Sequence, residues 1–205
     1  MKIHEYDFVD GARRARGSVV IIDVFRAFST ACYAFANGAE SVIAIDEIEK
    51  ARQLKQEIPG AVLIGERGGK KIEGFDYGNS PTEIENAAFT GKTIVLTTHA
   101  GTQGLVNAAS ADKLFTGSFV NAKAAVRQIL KFAPSEVSLV RMGWQAAENS
   151  DEDDLCAEYL KSLLLDLPFD TGSVKPILKA SPYSERFFDP AKPGIRRGIS
   201  IFVWK

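Results

Sequence analysis

Short apolar runs bounded by turn residues recur along the chain. Val19 to Ile22, Ser41 to Ile45, Ala61 to Ile64, Thr93 to Leu96 and Val137 to Val140 each read as a buried strand. Between them the period lengthens. Ser29 to Ala36 is rich in alanine and aromatic residues and stops at Asn37-Gly38, which suits a helix C-terminus. Glu47 to Glu57 is a charged amphipathic stretch closed by Pro59-Gly60. The same rhythm returns later: VVIID faces TIVLT, FSTACYAFANGA faces TQGLVNAASADK, and AVLIG faces VSLVR. This predicts an internal duplication of a β-α-β-α-β unit, with halves at about 17–65 and 91–141 and a glycine-rich connection at 65–81. Alternating strands and helices pack as a layered α/β/α fold on a mostly parallel sheet with right-handed crossovers. One domain spanning 1–205 is expected.

Composition narrows the function classes. Apolar residues make up 45% and charged residues 25%, which provides for a core and argues against disorder. A net charge of −1 excludes a broad nucleic-acid surface, so any anion site must be local. The start, Met1 to Val9, is charged and lacks an apolar h-region, and no apolar run approaches the roughly 20 residues that span a bilayer. A cytoplasmic protein without membrane contact is expected. Cys32 and Cys156 lie far apart, which points to neither a disulfide framework nor a thiolate zinc site. The oligomeric state stays open, a homo-oligomer included.

In parallel α/β sheets ligands sit beyond the carboxyl ends of the strands, so the segments there are the candidates. The run from Asp23 to Thr30 puts a carboxylate suited to Mg²⁺, the Arg26 guanidinium, and the Ser29 and Thr30 hydroxyls at a strand-to-helix turn. Alternatively, Asp23 caps the helix and Arg26 pairs at the surface. The stretch from Gly65 to Pro81 holds five glycines among seventeen residues, a composition that favours a binding loop. There Glu66 is a candidate metal ligand or base, Arg67, Lys70 and Lys71 are candidate sources of positive charge, and Asn79 and Ser80 are candidate substrate contacts. A solvated connection that starts the next helix is the alternative.

Thr97, Thr98, Gly101 and Thr102 occupy the turn aligned with Asp23 and offer hydroxyls and N–H groups to an anion. His99 between them is a candidate acid or base, or a structural residue. The run Ser150-Asp151-Glu152-Asp153-Asp154 reads as a capped helix start, yet four successive acids exceed what capping requires. Asp153 and Asp154 are therefore candidate metal ligands. Several signatures are absent: a Cys-x₅-Arg loop, an Asp-x-Asp at Asp23, a Walker loop, and a Gly-x-Gly-x-x-Gly after a strand. Catalysis through a covalent intermediate thus lacks its usual nucleophile context, and water activated by a divalent cation is the economical route for a hydrolase.

Four segments, VVIIDVFRAFSTACYAFANGA, GERGGKKIEGFDYGNSP, TIVLTTHAGTQGL with GSFVNA, and EDDLCAEYL, follow in order from Val19 to Leu160. In this order they resemble the 2-phosphosulfolactate phosphatase family, Mg²⁺-dependent enzymes of coenzyme M biosynthesis. The resemblance implies hydrolysis of a small anionic 2-phospho acid, 2-phosphosulfolactate, to 3-sulfolactate and phosphate. Asp23, Arg26, Glu66 and Arg67 would then form the catalytic group, with Asp23, Glu66 and Asp153 or Asp154 around Mg²⁺. Two features depart from the family pattern: His99-Ala100 stands where an Asn is usual, and the tail from Ser181 differs from the family ending. A non-catalytic binding protein for a sulfonated or phosphorylated organic acid is the competing reading.

Overall fold

The structure, a computed structural model, describes residues 1–182, 184, 187 and 188. Its first half runs β1 (Lys2–Asp7), α1 (Phe8–Arg14), β2 (Gly17–Ile22), α2 (Ala27–Ala36), β3 (Ser41–Ala44), α3 (Ile48–Glu57), β4 (Val62–Arg67) and β5 (Lys70–Lys71). After the short α4 (Pro81–Ile84) come β6 (Thr93–Thr97), α5 (Gly101–Asn107), β7 (Ala111–Gly117), α6 (Ala122–Lys131) and β8 (Glu136–Arg141). Two helices, α7 (Asp151–Leu165) and α8 (Thr171–Ala180), follow.

The strands form two four-stranded sheets. One has the order β1-β8-β2-β7 and is parallel throughout. The other has the order β3-β6-β4-β5, parallel except for the short β5. The layered, mostly parallel α/β fold and the repeated unit expected from the sequence are both present, with a topology that periodicity could not show. Each half sends its first strand into the other half's sheet: β2 lies between β8 and β7, and β6 lies between β4 and β3. The pattern of burial explains why these two are central. GSVVII is buried at all six positions and TIVLT at four of five, whereas the edge strands β1 and β3 are only partly covered. A strand apolar on both faces needs neighbours on both sides and helices above and below.

Within β2 the faces alternate with the strand period. Val20 and Ile22 pack with Leu139 and Leu160 on one side, while Val19 and Ile21 pack with Phe28 and Met142 on the other. In the second sheet Ile64 and Leu96 face Ile84 and Phe89, and Leu63 and Val95 face Ala51 and Phe75. Strand β1 and helix α1 lie in the segment that the sequence marked only as charged; KIHEYD is a half-covered edge strand with too few apolar residues to signal itself. Ser150 takes the N-cap position of α7, but its hydroxyl makes no capping bond. Among the described residues no helix is long and apolar enough to cross a membrane. Most of the divergent tail after Ser181 lies outside the described residues.

Gly65 shows how closely the second sheet is fitted. A Cβ there would stand 2.5 Å from the Thr97 carbonyl oxygen and 2.9 Å from the Phe75 ring. Gly65→Ala is expected to destabilise the fold by about 1–3 kcal/mol, which urea unfolding monitored by circular dichroism would measure; an unchanged midpoint would show that β4 and β6 can separate freely.

Candidate active site

Strand exchange sets the turn after β2 against the turn after β6, and carboxylates hold them together. Asp23 follows β2. Its Oδ1 accepts the Ala27 N–H at the start of α2 (3.0 Å), and its Oδ2 accepts the Gly101 N–H at the start of α5 (2.8 Å). A Cβ on Gly101 would sit 2.7 Å from that oxygen, so the close approach depends on glycine. Glu66, near the end of β4, works alike: Oε1 accepts the His99 N–H (2.8 Å) and Oε2 the Gly69 N–H (2.7 Å). Asp153, in the first turn of α7, accepts the Val24 N–H (2.9 Å) and the Gly143 N–H (2.8 Å). Each of the three thus bridges segments distant in sequence.

All three are buried, at 7% exposure for Asp23 and Glu66 and 2% for Asp153. Carboxylates removed from water resist ionisation, and neighbouring negative charge adds to the effect. Burial, followed by the charges of Glu66 and Glu152, lifts Asp23 from 3.8 to about 7, although the N–H groups of Ala27 and Gly101 pull it back. Burial, then Asp23 and Glu152, also raises Asp153 well above its ordinary value.

Asp23 and Glu66 open onto a cavity of about 310 Å³ whose lining includes Arg26, Asn79, Trp144 and Phe187. Arg26 is buried at the N-cap position of α2, with its guanidinium 5.7 Å from the centre of the Phe187 ring. Asn79 is buried too, and its Oδ1 has no hydrogen-bond partner among the described residues. The Asp23 carboxylate fastens the start of α2 and also lines the cavity, while Arg26, placed at the surface in the capping alternative, is buried.

Other candidates build the walls. Arg67 donates to the Glu66 and Asp46 carbonyls and to Thr97 Oγ1, each at 2.8 Å, which ties β4 to β6. Burial lowers its pKa, with Glu66 and Asp46 opposing. Ser29 donates to the Val24 carbonyl, Thr98 and Thr102 bond reciprocally, and Ser80 pairs with Thr82. Thr30 is fully buried. Among Ser29, Thr30, Asn79, Ser80, Thr97, Thr98, Gly101 and Thr102, only Asn79 lines the cavity. The acidic run divides as well. Asp154 Oδ1 lies 3.3 Å from Arg141, whose Nε bonds Asp7, so Asp154 belongs to a network at the β1–β8 edge and does not line the cavity. Glu152 accepts the Ser184 hydroxyl.

Gly143, Trp144 and Gln145 also line the cavity, as does Phe25. The turn after β8 lies at a strand's carboxyl end like the others, and that position is the signal for Gly143, Trp144 and Gln145; Phe25 lies within the run from Asp23 to Thr30 but its apolar side chain carries no sign of a site.

Among the described residues no group of three or more His, Cys, Asp or Glu side chains is arranged to hold a metal ion. Mg²⁺ rarely needs such a cage; it is usually held by one or two carboxylates, completed by water and substrate phosphate oxygens. Asp23 and Glu66, which line one cavity, are a donor set of that kind, and a divalent cation would offset the burial that raises Asp23 and the smaller effect of its acidic neighbours.

A family model described as 2-phosphosulpholactate phosphatase matches residues 4–181. The chain belongs to the 2-phosphosulpholactate phosphatase family. A relative from Caldicellulosiruptor saccharolyticus, named a probable 2-phosphosulfolactate phosphatase, is 42% identical over 151 residues, covering 72% of this chain and 62% of the relative. One of the same name from Carboxydothermus hydrogenoformans is 45% identical over 147 residues, covering 72% and 60%. Another from Bacillus subtilis is 33% identical over 178 residues, covering 85% and 76%. The chain therefore spans about three fifths of the length of the first two. The 2-phosphosulpholactate phosphatase match includes every carboxylate described above.

The raised Asp23 carries a consequence for stability. A carboxyl group whose folded-state pKa lies above its unfolded value keeps its proton in the native protein, so stability is full at acid pH and is lost as pH rises through the folded value. In chelator-treated protein, stability should fall between about pH 4 and pH 7, by up to about 4 kcal/mol from Asp23. Asp23→Asn should flatten this slope in thermal melts across that range; an equally steep slope in the variant would place the titrating group elsewhere.

Proposed function

We propose that the protein is a Mg²⁺-dependent phosphoric monoester hydrolase acting on a small 2-phospho acid, with conversion of 2-phosphosulfolactate to 3-sulfolactate and phosphate as its favoured reaction. The observation that carries this reading is the pair of buried carboxylates, Asp23 and Glu66, in one small cavity with Arg26. Alone, they would repel an anionic phosphate ester; with a divalent cation they attract it. The family match and the names of the relatives support the same chemistry.

Asp23 and Glu66 would hold Mg²⁺, which when bound supplies charge neutralisation and Lewis-acid polarisation of the phosphoryl group. Their backbone donors keep the two carboxylates pointed into the cavity before substrate arrives, so little reorganisation is left for the reaction. Arg26 lines the cavity, and its guanidinium would take two phosphoryl oxygens in its planar fork. Arg67 acts through position, holding the end of β4 that carries Glu66. Asp153 secures the backbone of Val24 behind Asp23. Trp144 and Phe187 line the cavity with aromatic surface and would limit water around the ester. In the reaction the water oxygen bonds to phosphorus, the bond from phosphorus to the C2 oxygen breaks, and the proton lost by water ends on that departing oxygen.

Phosphate release from 2-phosphosulfolactate and 2-phospholactate, with Mg²⁺ and with chelator, tests the proposal. Turnover should require Mg²⁺, and Asp23→Asn should lower kcat by about 10²–10³-fold. Wild-type protein that binds 3-sulfolactate yet frees no phosphate from either ester would support the binding-protein reading instead.

A further inference from the structure

One wall of the cavity differs in charge from the carboxylates. It is made by the tight hairpin from β4 to β5, where Gly68 and Gly69 both take positive φ, 58° and 79°, in a two-residue turn. Lys70, the next residue, lines the cavity. Its ammonium makes no hydrogen bond or ion pair within the described residues, and the side chain is exposed. Across from the turn, His99 Nδ1 accepts the Gly68 N–H at 3.4 Å. With Nδ1 turned to the Gly68 N–H, Nε2 is the ring nitrogen left to donate to a ligand. The main chain that carries the ring is held, because the His99 backbone N–H donates to Glu66.

The hairpin amides cannot serve a ligand themselves. The Gly68 N–H is engaged by His99 and the Gly69 N–H by Glu66. What this wall offers is a cation and an imidazole N–H. We propose that Lys70 and His99 form a second anion subsite, which takes the carboxylate or sulfonate of the substrate while Arg26 and the Asp23–Glu66 end take the phosphoryl group. The inference rests on reading the cavity as a site for 2-phospho acids, and it explains how such a molecule is told from a simple phosphate ester. Without a cation on this wall, the second anionic group would lie in a cavity of about 310 Å³ beside two carboxylates. Lys70 offsets that repulsion, and His99 supplies direction.

The test compares two esters that share a secondary phosphate and differ in one group: 2-phospholactate carries a carboxylate, and isopropyl phosphate does not. With Mg²⁺ present, Lys70→Met and His99→Leu should each lower the ratio of kcat/KM for 2-phospholactate over isopropyl phosphate by roughly tenfold. The loss should appear in KM, with kcat nearly unchanged, and His99→Gln, which restores an N–H donor, should recover much of it. Equal losses on both esters, or an unchanged ratio, would overturn the subsite. A binding measurement separates this inference from the catalytic reading. Calorimetric titration with 3-sulfolactate, which has no phosphoryl group, should show affinity weakened about tenfold by Lys70→Met. If the wild type hydrolyses neither ester, the catalytic reading fails, and this titration still decides the subsite. Equal affinity in wild type and variant, or no binding by either, overturns it.

Discussion

The Asp23 carboxylate holds the two halves of the molecule in register. One oxygen takes the Ala27 N–H of its own half, and the other takes the Gly101 N–H of the opposite half. Two helix starts thus converge on one buried carboxylate, with Glu66 making the same kind of bridge from the other sheet through His99. Such an arrangement concentrates negative charge where water is scarce, and burial with the neighbouring acids raises Asp23 to about 7. A structural tie made of charge is unfavourable by itself. Under the proposed function a cation and an anionic ligand would complete it, and the link that joins the halves also lines the pocket.

Strand exchange is what brings the ties together. Because β2 sits in the sheet of the second half and β6 in the sheet of the first, the turns that follow them emerge in mid-sheet and face each other. Had each half kept its own first strand, Asp23 and Gly101 would have no reason to meet. The exchange also accounts for burial, since the two most continuously apolar strands each gain neighbours on both sides.

Much of this was legible in the sequence for reasons that can be stated residue by residue. Val19 to Ile22 and Thr93 to Leu96 are apolar runs too short for helices, and their matching contexts revealed the duplication. The rule that ligands gather at the carboxyl ends of strands picked out Asp23, Arg26, Glu66 and Asn79, which share one cavity. Sequence periodicity carries no information on which strand pairs with which, so two sheets with exchanged strands were beyond it. Nor does residue type tell a wall from a lining. Thr97, Thr98, Thr102 and Arg67 have the right chemistry for an anion, yet they spend it on one another and on the backbone. The acidic run was ambiguous for the same reason: adjacent residues on a helix point about 100° apart, which sends Asp153 to Val24 and Gly143 but Asp154 to Arg141.

The most direct measurement is a crystal structure of the protein grown with Mg²⁺ and inorganic phosphate. The expected result is an ion about 2.1 Å from a carboxylate oxygen of both Asp23 and Glu66, with the phosphate between that ion and Arg26. An ion bound instead by Asp154 at the β1–β8 edge, with phosphate away from Arg26, would contradict a cavity in which the carboxylates that join the halves also hold the reacting group.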